Sequence, residues 1–315
     1  MEHTIKLPGT DLMLSPIGLG CTKAGTAWKG EKADRLLSYF VDHGGNVIDT
    51  ARIYGLPFIG ASEAAIGQWL RSSHRRDEIV LMSKGGHPHV YSMHVSRMSE
   101  KEMRSDLEAS LRALQTDVID VYFYHRDDTN QTVGELLERM ENFRREGKIR
   151  AYACSNWSAE RMQEADKYAR DHGLTGFAGN ECLYNIGSSA AGKLLDDTML
   201  RADDAMLDFH RSGTQNIMMP YSGLCEGFFH RLMEAGANEA RLKGSPYYTE
   251  ANLRLVARIR ELQEKYNATL SQVLVGFFVT CDFPVLPLFG CSSVEHLAEI
   301  MAATEIPFTP EDYAL

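Results

Sequence analysis

Short apolar, β-branched or aromatic runs recur along the chain at Ile17–Leu19, Val47–Asp49, Ile79–Ser83, Val121–Tyr124, Ala151–Ser155, Gly176–Asn180, Ile217–Tyr221 and Val285–Leu288. Runs this short and this apolar read as buried parallel strands. Between them lie stretches with apolar residues three and four apart. Examples are Leu36, Leu37, Phe40 and Val41; Ala64, Ala65, Trp69 and Leu70; Leu107, Leu111 and Leu114; and Leu136, Met140 and Phe143. That period predicts amphipathic helices. Gly44, Gly147, Gly173 and Gly213 follow such stretches, where a helix commonly ends on a left-handed residue.

Eight alternating units predict an α/β fold of the (β/α)8 barrel type. A doubly wound open sheet is the alternative, but no G-x-G-x-x-G follows the first strand. "TIKLPGTDLMLSP" alternates around Pro8–Gly9 and predicts an N-terminal β-hairpin on the barrel floor. The stretch from Ser222 to Glu250 is glycine-rich and long for a βα connection, which marks it as functional or mobile. Glu250–Tyr266 and Leu270–Thr280 read as two successive helices, so an extra helix precedes the last strand. With no linker and no low-complexity segment, residues 1–315 are expected to form one domain.

Composition narrows the partners. The hydrophobic share of 44% and charged share of 24% are those of an ordinary globular chain that can bury a core. A net charge of −10 argues against nucleic acid or an anionic membrane surface. It leaves room for an anionic cofactor held by local donors. The six cysteines form no C-x-x-C pair, no leader precedes "MEHTIKLPGT", and no apolar run reaches the length of a membrane span. Reduced thiols and a cytoplasmic location are expected, and oligomeric state has no signal. His87, His89 and His94 in "GGHPHVYSMH" invite a metal reading, but no fourth ligand stands at zinc-like spacing. Pocket lining is preferred for them, and no metal is expected.

Four polar residues carry the chemistry. Asp49 and Tyr54, Lys84, and His125 stand at or just beyond the C-terminal ends of strand-like runs, which in a barrel open onto one face. Reducing a carbonyl requires a hydride on carbon and a proton on oxygen. A tyrosine can give the proton if a nearby ammonium lowers its pKa from about 10. A carboxylate keeps that ammonium charged, and a histidine can orient the carbonyl oxygen or assist the proton's movement.

With these residues in hand, the chain resembles the aldo-keto reductases over nearly its whole length. "IGLGC", "GGNVIDTARIYG", "SKGG", "YFYHRDD", "KIRAYACSNW", "MMPYSGL" and "PLFGCSSVEHLAEIMAA" are similar to that family's segments in the family's order. The resemblance implies catalytic roles for Asp49, Tyr54, Lys84 and His125. It implies a nicotinamide cofactor across the barrel mouth, NADP(H) ahead of NAD(H). Around it would stand Gly20, Cys21 and Thr22, with Asp49, Ser155, Asn156 and Glu181 near the nicotinamide. Tyr221 would stack on the ring, followed by Ser222, Gly223 and Leu224. Gly290, Cys291, Ser292, His296 and Glu299 would face the adenosine phosphate. The substrate, a small carbonyl compound or the corresponding alcohol, would meet Trp28, Tyr54, Phe58, His87, His125 and Trp157.

Three departures from the family pattern matter. Glu181 replaces a glutamine and, when ionised, cannot donate to a carboxamide oxygen. No lysine or arginine stands among Gly290, Cys291 and His296, and Ile300 occupies a position where asparagine is common. Little follows "MAATEIPFTPEDYAL", so the chain resembles short bacterial-type members without the long C-terminal substrate loop. Two other readings stay open. One is a cofactor-binding redox-sensing or regulatory subunit with weak turnover. The other is a barrel hydrolase or isomerase using Asp49 and His125 without cofactor.

Overall fold

The computed structural model describes residues 5–314 apart from 189, 195 and 235–241. A two-residue hairpin, β1 (Ile5–Lys6) and β2 (Met13–Leu14), precedes eight parallel strands. These are β3 (Gly18–Gly20), β4 (Val47–Asp49), β5 (Val80–Gly85), β6 (Ile119–Tyr124), β7 (Ile149–Ser155), β8 (Gly179–Leu183), β9 (Ile217–Tyr221) and β10 (Leu288–Phe289). They pair in the order β10-β3-β4-β5-β6-β7-β8-β9. A parallel bridge from Met218 to Val285, with Leu286 N–H donating to the Met218 carbonyl at 2.8 Å, returns β9 to the chain entering β10. The sheet thereby closes into a (β/α)8 barrel.

Side chains alternate across each strand, and here the alternation sorts two apolar sets. Val47, Val80, Met82, Val121, Phe123, Ala151, Ala153, Ile217 and Met219 fill the barrel interior. Their neighbours Ile48, Leu81, Tyr122, Tyr124, Tyr152, Cys154 and Met218 face the outer helices, where they meet Leu36, Phe40, Leu107 and Leu136. Leu7 and Leu14 of the hairpin belong to the interior cluster, so the hairpin plugs the barrel floor. A third cluster, including Phe228, Phe229, Tyr247, Ile259 and Leu274, packs the helices Phe228–Met233, Glu250–Tyr266 and Leu270–Val279 together. The last of these is the extra helix read before the final strand. No helix among the described residues is long and apolar enough to cross a membrane.

Two strands sit later than the pattern suggested. β8 spans Gly179–Leu183 rather than Gly176–Asn180, because Gly176 adopts φ 77° and turns the chain instead of extending it. β10 is confined to Leu288–Phe289, since Pro284 and Pro287 bring no N–H to the ladder. Of the Ser222–Glu250 connection, residues 235–241 lie outside the described residues; the rest holds a turn at Cys225–Gly227 and the helix Phe228–Met233.

Gly25 fixes how the first βα loop meets the second. It has φ 72°, and a Cβ there would lie 2.2 Å from the Ala61 carbonyl oxygen, at the start of the helix Ala61–Ser73. Gly25→Ala should therefore cost about 2–4 kcal/mol of stability through left-handed strain and overpacking. Urea unfolding checks this; an unchanged midpoint would remove the constraint.

Candidate active site

In five barrel strands the inward row is apolar until its last member, which is polar. Val47 leads to Asp49, Val80 and Met82 to Lys84, and Val121 and Phe123 to His125 just past β6. Ala151 and Ala153 lead to Ser155, and Ile217 and Met219 to Tyr221. Glu181 completes the ring on β8, in register with Ser155. The C-terminal mouth of the barrel is thus a polar crown on an apolar stem.

Lys84 is fully buried beneath the crown. Its Nζ donates to Asp49 Oδ1 and, at 3.0 Å, to the Thr50 carbonyl. It stands 3.2 Å from Glu181 Oε1, an ion pair without the alignment of a hydrogen bond. It also lies 5.3 Å from the centre of the Tyr54 ring. Tyr54 comes from the loop after β4, where its N–H donates to Ala51 and its carbonyl accepts from Gly60. A bond of 2.7 Å between the Thr50 and Ser62 hydroxyls, and one of 2.7 Å from Ser62 to the Cys21 carbonyl, tie that loop to the barrel rim. His125 meets the Tyr54 ring edge-on at 5.7 Å between centroids, and His87 meets His125 edge-on at 4.6 Å.

The electrostatics differ from the simple expectation. Burial works against the Lys84 ammonium, but Asp49 and then Glu181 outweigh it and hold the lysine charged above its usual range. Burial, with Lys84 pulling back, leaves the Asp49 carboxyl above its ordinary value. The Tyr54 hydroxyl is not lowered overall. Burial pushes it up to about 12, Lys84 pulls it down, and Asp49 and Glu181 push it up again. Burial, with Arg126, His87 and Lys84 adding positive charge, holds His125 well below the usual range, so its ring is neutral at neutral pH. Its Nδ1 is buried without a hydrogen-bond partner among the described residues.

A cavity of about 720 Å³ opens above the tetrad. It gathers Gly20, Thr22, Asp49, Tyr54, His87, His125, Ser155, Asn156, Glu181, Tyr221, Ser222, Gly223, Leu224, Gly290, Cys291, Ser292 and His296 from the expected set. Six expected residues are not in it, the first being Lys84, sealed beneath its floor. Cys21 turns its buried thiol to the Leu19 carbonyl. Glu299 accepts from the Thr269 hydroxyl on a neighbouring helix. Trp28 is 1% exposed in the core, because its loop curls back with Trp28 N–H on the Lys23 carbonyl. Trp157 is likewise buried, stacked edge-on against Phe177, with its indole N–H on the Arg126 carbonyl at 3.3 Å. Phe58 is 71% exposed on the rim and outside the cavity. Position after a strand does not by itself aim an aromatic ring into the mouth.

Several lining residues lie outside the expected set. Arg126 follows His125 directly and is fixed by Asp196 and Thr198. Lys23 stands two residues past Cys21, and both could have been noticed from their neighbours. His230 comes from the helix after β9, where no sequence signal pointed to the mouth. Asn156 is committed within the protein. Its Nδ2 donates to the His125 carbonyl and to Ser155 Oγ, and its Oδ1 accepts from Leu200 N–H and, at 2.7 Å, from the Tyr221 hydroxyl. It fixes the Tyr221 ring against the cavity.

The donor set suits an elongated anionic ligand. Ser222, Cys225, Glu226 and Gly227 all have positive φ, so the chain after β9 turns tightly at the mouth. Such turns direct neighbouring N–H groups to one side, which binds anions. Gly290, Cys291 and Ser292 lead into the N-terminus of the helix Val294–Ala302, whose dipole favours negative charge. Lys23 and the imidazoles of His230 and His296 line the same end.

Comparison with known proteins agrees with this geometry. The Aldo/keto reductase family matches residues 16–315. An aryl-alcohol dehydrogenase of Pestalotiopsis microspora is 27% identical, over 99% of this chain and 80% of its own length. Norsolorinic acid reductase B of Dothistroma septosporum is 28% identical, over 97% of this chain and 78% of its own. An aldo-keto reductase from Klebsiella pneumoniae, solved in complex with NADPH, superposes with a TM-score of 0.72 at 25% identity, covering 100% of this chain and 94% of its own. The chain belongs to the aldo/keto reductase family of oxidoreductases.

Proposed function

We propose that this protein reduces an aldehyde or ketone to the alcohol, or runs the reverse reaction, with a nicotinamide dinucleotide and with NADPH ahead of NADH. The observation that carries this reading is Lys84, sealed between Asp49 and Glu181 directly under the Tyr54 ring at the cavity wall. Bound in the cavity, the dinucleotide would supply the hydride. Ser155, Glu181 and Tyr221 would hold its nicotinamide end. Ser222 to Leu224, Gly290 to Ser292, Lys23 and His296 would hold the phosphates.

Tyr54 donates the proton to the carbonyl oxygen as the hydride reaches carbon. Lys84 offsets the rise that burial imposes on the Tyr54 hydroxyl and stabilises the phenolate left behind. Neutral His125 hydrogen-bonds the carbonyl oxygen and positions it. Asp49 keeps Lys84 charged. The relatives named for aryl alcohols and norsolorinic acid support aryl carbonyl compounds as the first substrates to try. Exposed Leu56, Phe58 and Ile59 at the rim suit such apolar rings. Six unpaired cysteine thiols fit a reducing, cytoplasmic setting.

Separate titrations with NADPH and NADH, followed by multiple-turnover assays on an aldehyde and ketone panel, test the proposal. Tight NADPH binding with no turnover on any carbonyl would favour a redox-sensing role. Lys23→Ala should weaken NADPH by roughly tenfold or more, the usual worth of a hydrogen bond to a charged group. Unchanged NADPH affinity would remove the phosphates from that end of the cavity.

A further inference from the structure

We propose that Glu181 is a proton-carrying positioning residue: it stays protonated in the working enzyme, and loss of its proton slows turnover from the alkaline side. The proposal rests on the reading of Tyr54 as proton donor and adds to it a second titrating group.

The buried charges at the crown do not balance. Asp49 and Glu181 are both buried, at 3% and 2% exposed, and among the described residues Lys84 is the one ammonium between them. Two of the Lys84 donor directions go to Asp49 and the Thr50 carbonyl. Glu181 Oε1 is left with an ion-pair approach and no hydrogen bond. Both carboxyls therefore approach the same ammonium. One ammonium offsets one carboxylate, so a second ionised carboxyl here would be a buried charge without its own counterion. Asp49 has the direct lysine bond, which assigns the proton to Glu181. Like charges this close do not both ionise in a dry site.

The other described groups around Glu181 do not supply a second cation. Asp49 faces it from β4, Tyr54 from the following loop and Lys84 from β5. Cys154 approaches from β7, Cys182 from its own strand and Tyr221 from β9. His125 is neutral, and the Arg126 guanidinium is paired with Asp196. Burial, then the Asp49 charge, pushes the Glu181 carboxyl up to about 8, with Lys84 pulling it back.

The consequence falls on Tyr54. With Glu181 neutral, the Asp49–Lys84 pair is balanced and the ammonium acts on the phenol. When Glu181 releases its proton to solvent, a further negative charge raises the Tyr54 hydroxyl, which makes it a weaker acid in reduction. In alcohol oxidation the phenolate is harder to form, so both directions slow. In reduction the Tyr54 proton still goes to the carbonyl oxygen and the hydride to carbon, and the phenolate recovers its proton from solvent. A neutral Glu181 also has an O–H to offer a carboxamide oxygen, which its ionised form lacks.

Three readouts test this. The pH profile of kcat/KM should fall above a group near 8 in the wild type, and Glu181→Gln, which has no proton to lose, should lack that limb. An identical limb in both would overturn the proposal. Stability gives a reading that needs no activity. The unfolded state loses the Glu181 proton near the ordinary carboxylate value of about 4.3, whereas the folded state keeps it to about 8. Wild-type stability should therefore decline with rising pH across that window, relative to Glu181→Gln; parallel curves would contradict it. If Glu181→Gln does not fold, infrared spectra of wild-type protein carrying ¹³C-labelled glutamate decide the matter. A labelled neutral carboxyl band at pH near 7 that disappears on alkaline titration supports the proposal, and its absence at neutral pH overturns it. These last two measurements stand even if Tyr54→Phe were fully active, so failure of the parent reading is recognised separately.

Discussion

Tyr54→Phe should lower kcat for carbonyl reduction by a factor of about 10²–10⁴ while leaving NADPH affinity almost unchanged. The substitution removes one oxygen and keeps the ring. The ring keeps its edge contact with His125 and stays over Lys84, so the cavity wall survives. What disappears is the one hydroxyl among the described residues that both faces the cavity and stands over a buried ammonium. Tyr221 cannot take its place, because its hydroxyl is donated to Asn156. Steady-state kinetics with NADPH and fluorescence titration on the same preparation separate the two effects. Retained kcat would mean that the proton comes from another group.

Lys84→Met should be the most damaging single change to both stability and activity. It leaves Asp49 and Glu181 buried against each other with no counterion. Removing one partner of a buried pair typically costs about 3–5 kcal/mol. The pH dependence gives the mechanism away. With Lys84 gone, both folded carboxyls are raised further above their unfolded values, so each holds its proton longer in the folded state. Folded protein then binds more protons than unfolded, and stability falls as pH rises. The deficit of Lys84→Met should be smallest in acid, where both carboxyls are neutral, and largest at neutral and alkaline pH. Adding Asp49→Asn to Lys84→Met should restore part of the stability and none of the activity. Denaturant unfolding at several pH values measures the first, and turnover the second. A deficit independent of pH would mean that Lys84 acts by packing alone.

Much of this was legible in the sequence because the barrel repeats one rule. The eight strands, the helices between them and the glycine caps each follow from apolar period. Gly44, Gly147, Gly173 and Gly213 all have positive φ after a helix. The tetrad was legible because Asp49, Lys84 and His125 each interrupt an apolar inward row at its last member. Three things were not. The apolar pattern puts β8 three residues early because Phe177 and Ala178 are apolar, although Gly176 turns the chain before them. Trp28, Phe58 and Trp157 were expected in the pocket because loop aromatics after a strand have no periodicity to orient them; two fold inward and one points out. His230 reaches the mouth only through the path of a connection that sequence does not trace. Lys84 alone would lower the Tyr54 hydroxyl, but burial first, then the Asp49 charge and that of Glu181 once ionised, which only the folded geometry reveals, outweigh that single ammonium.

The central claim is direct hydride transfer to a carbonyl at this mouth, with Tyr54 giving the proton. NADPH carrying deuterium at nicotinamide C4 tests it most directly, turned over with an aryl aldehyde and the product read by mass spectrometry and NMR. The expected result is one deuterium on the carbinol carbon, none on oxygen, formed far more slowly by Tyr54→Phe. Aldehyde consumed without label on that carbon, or NADPH bound and never oxidised by any carbonyl, would contradict the account.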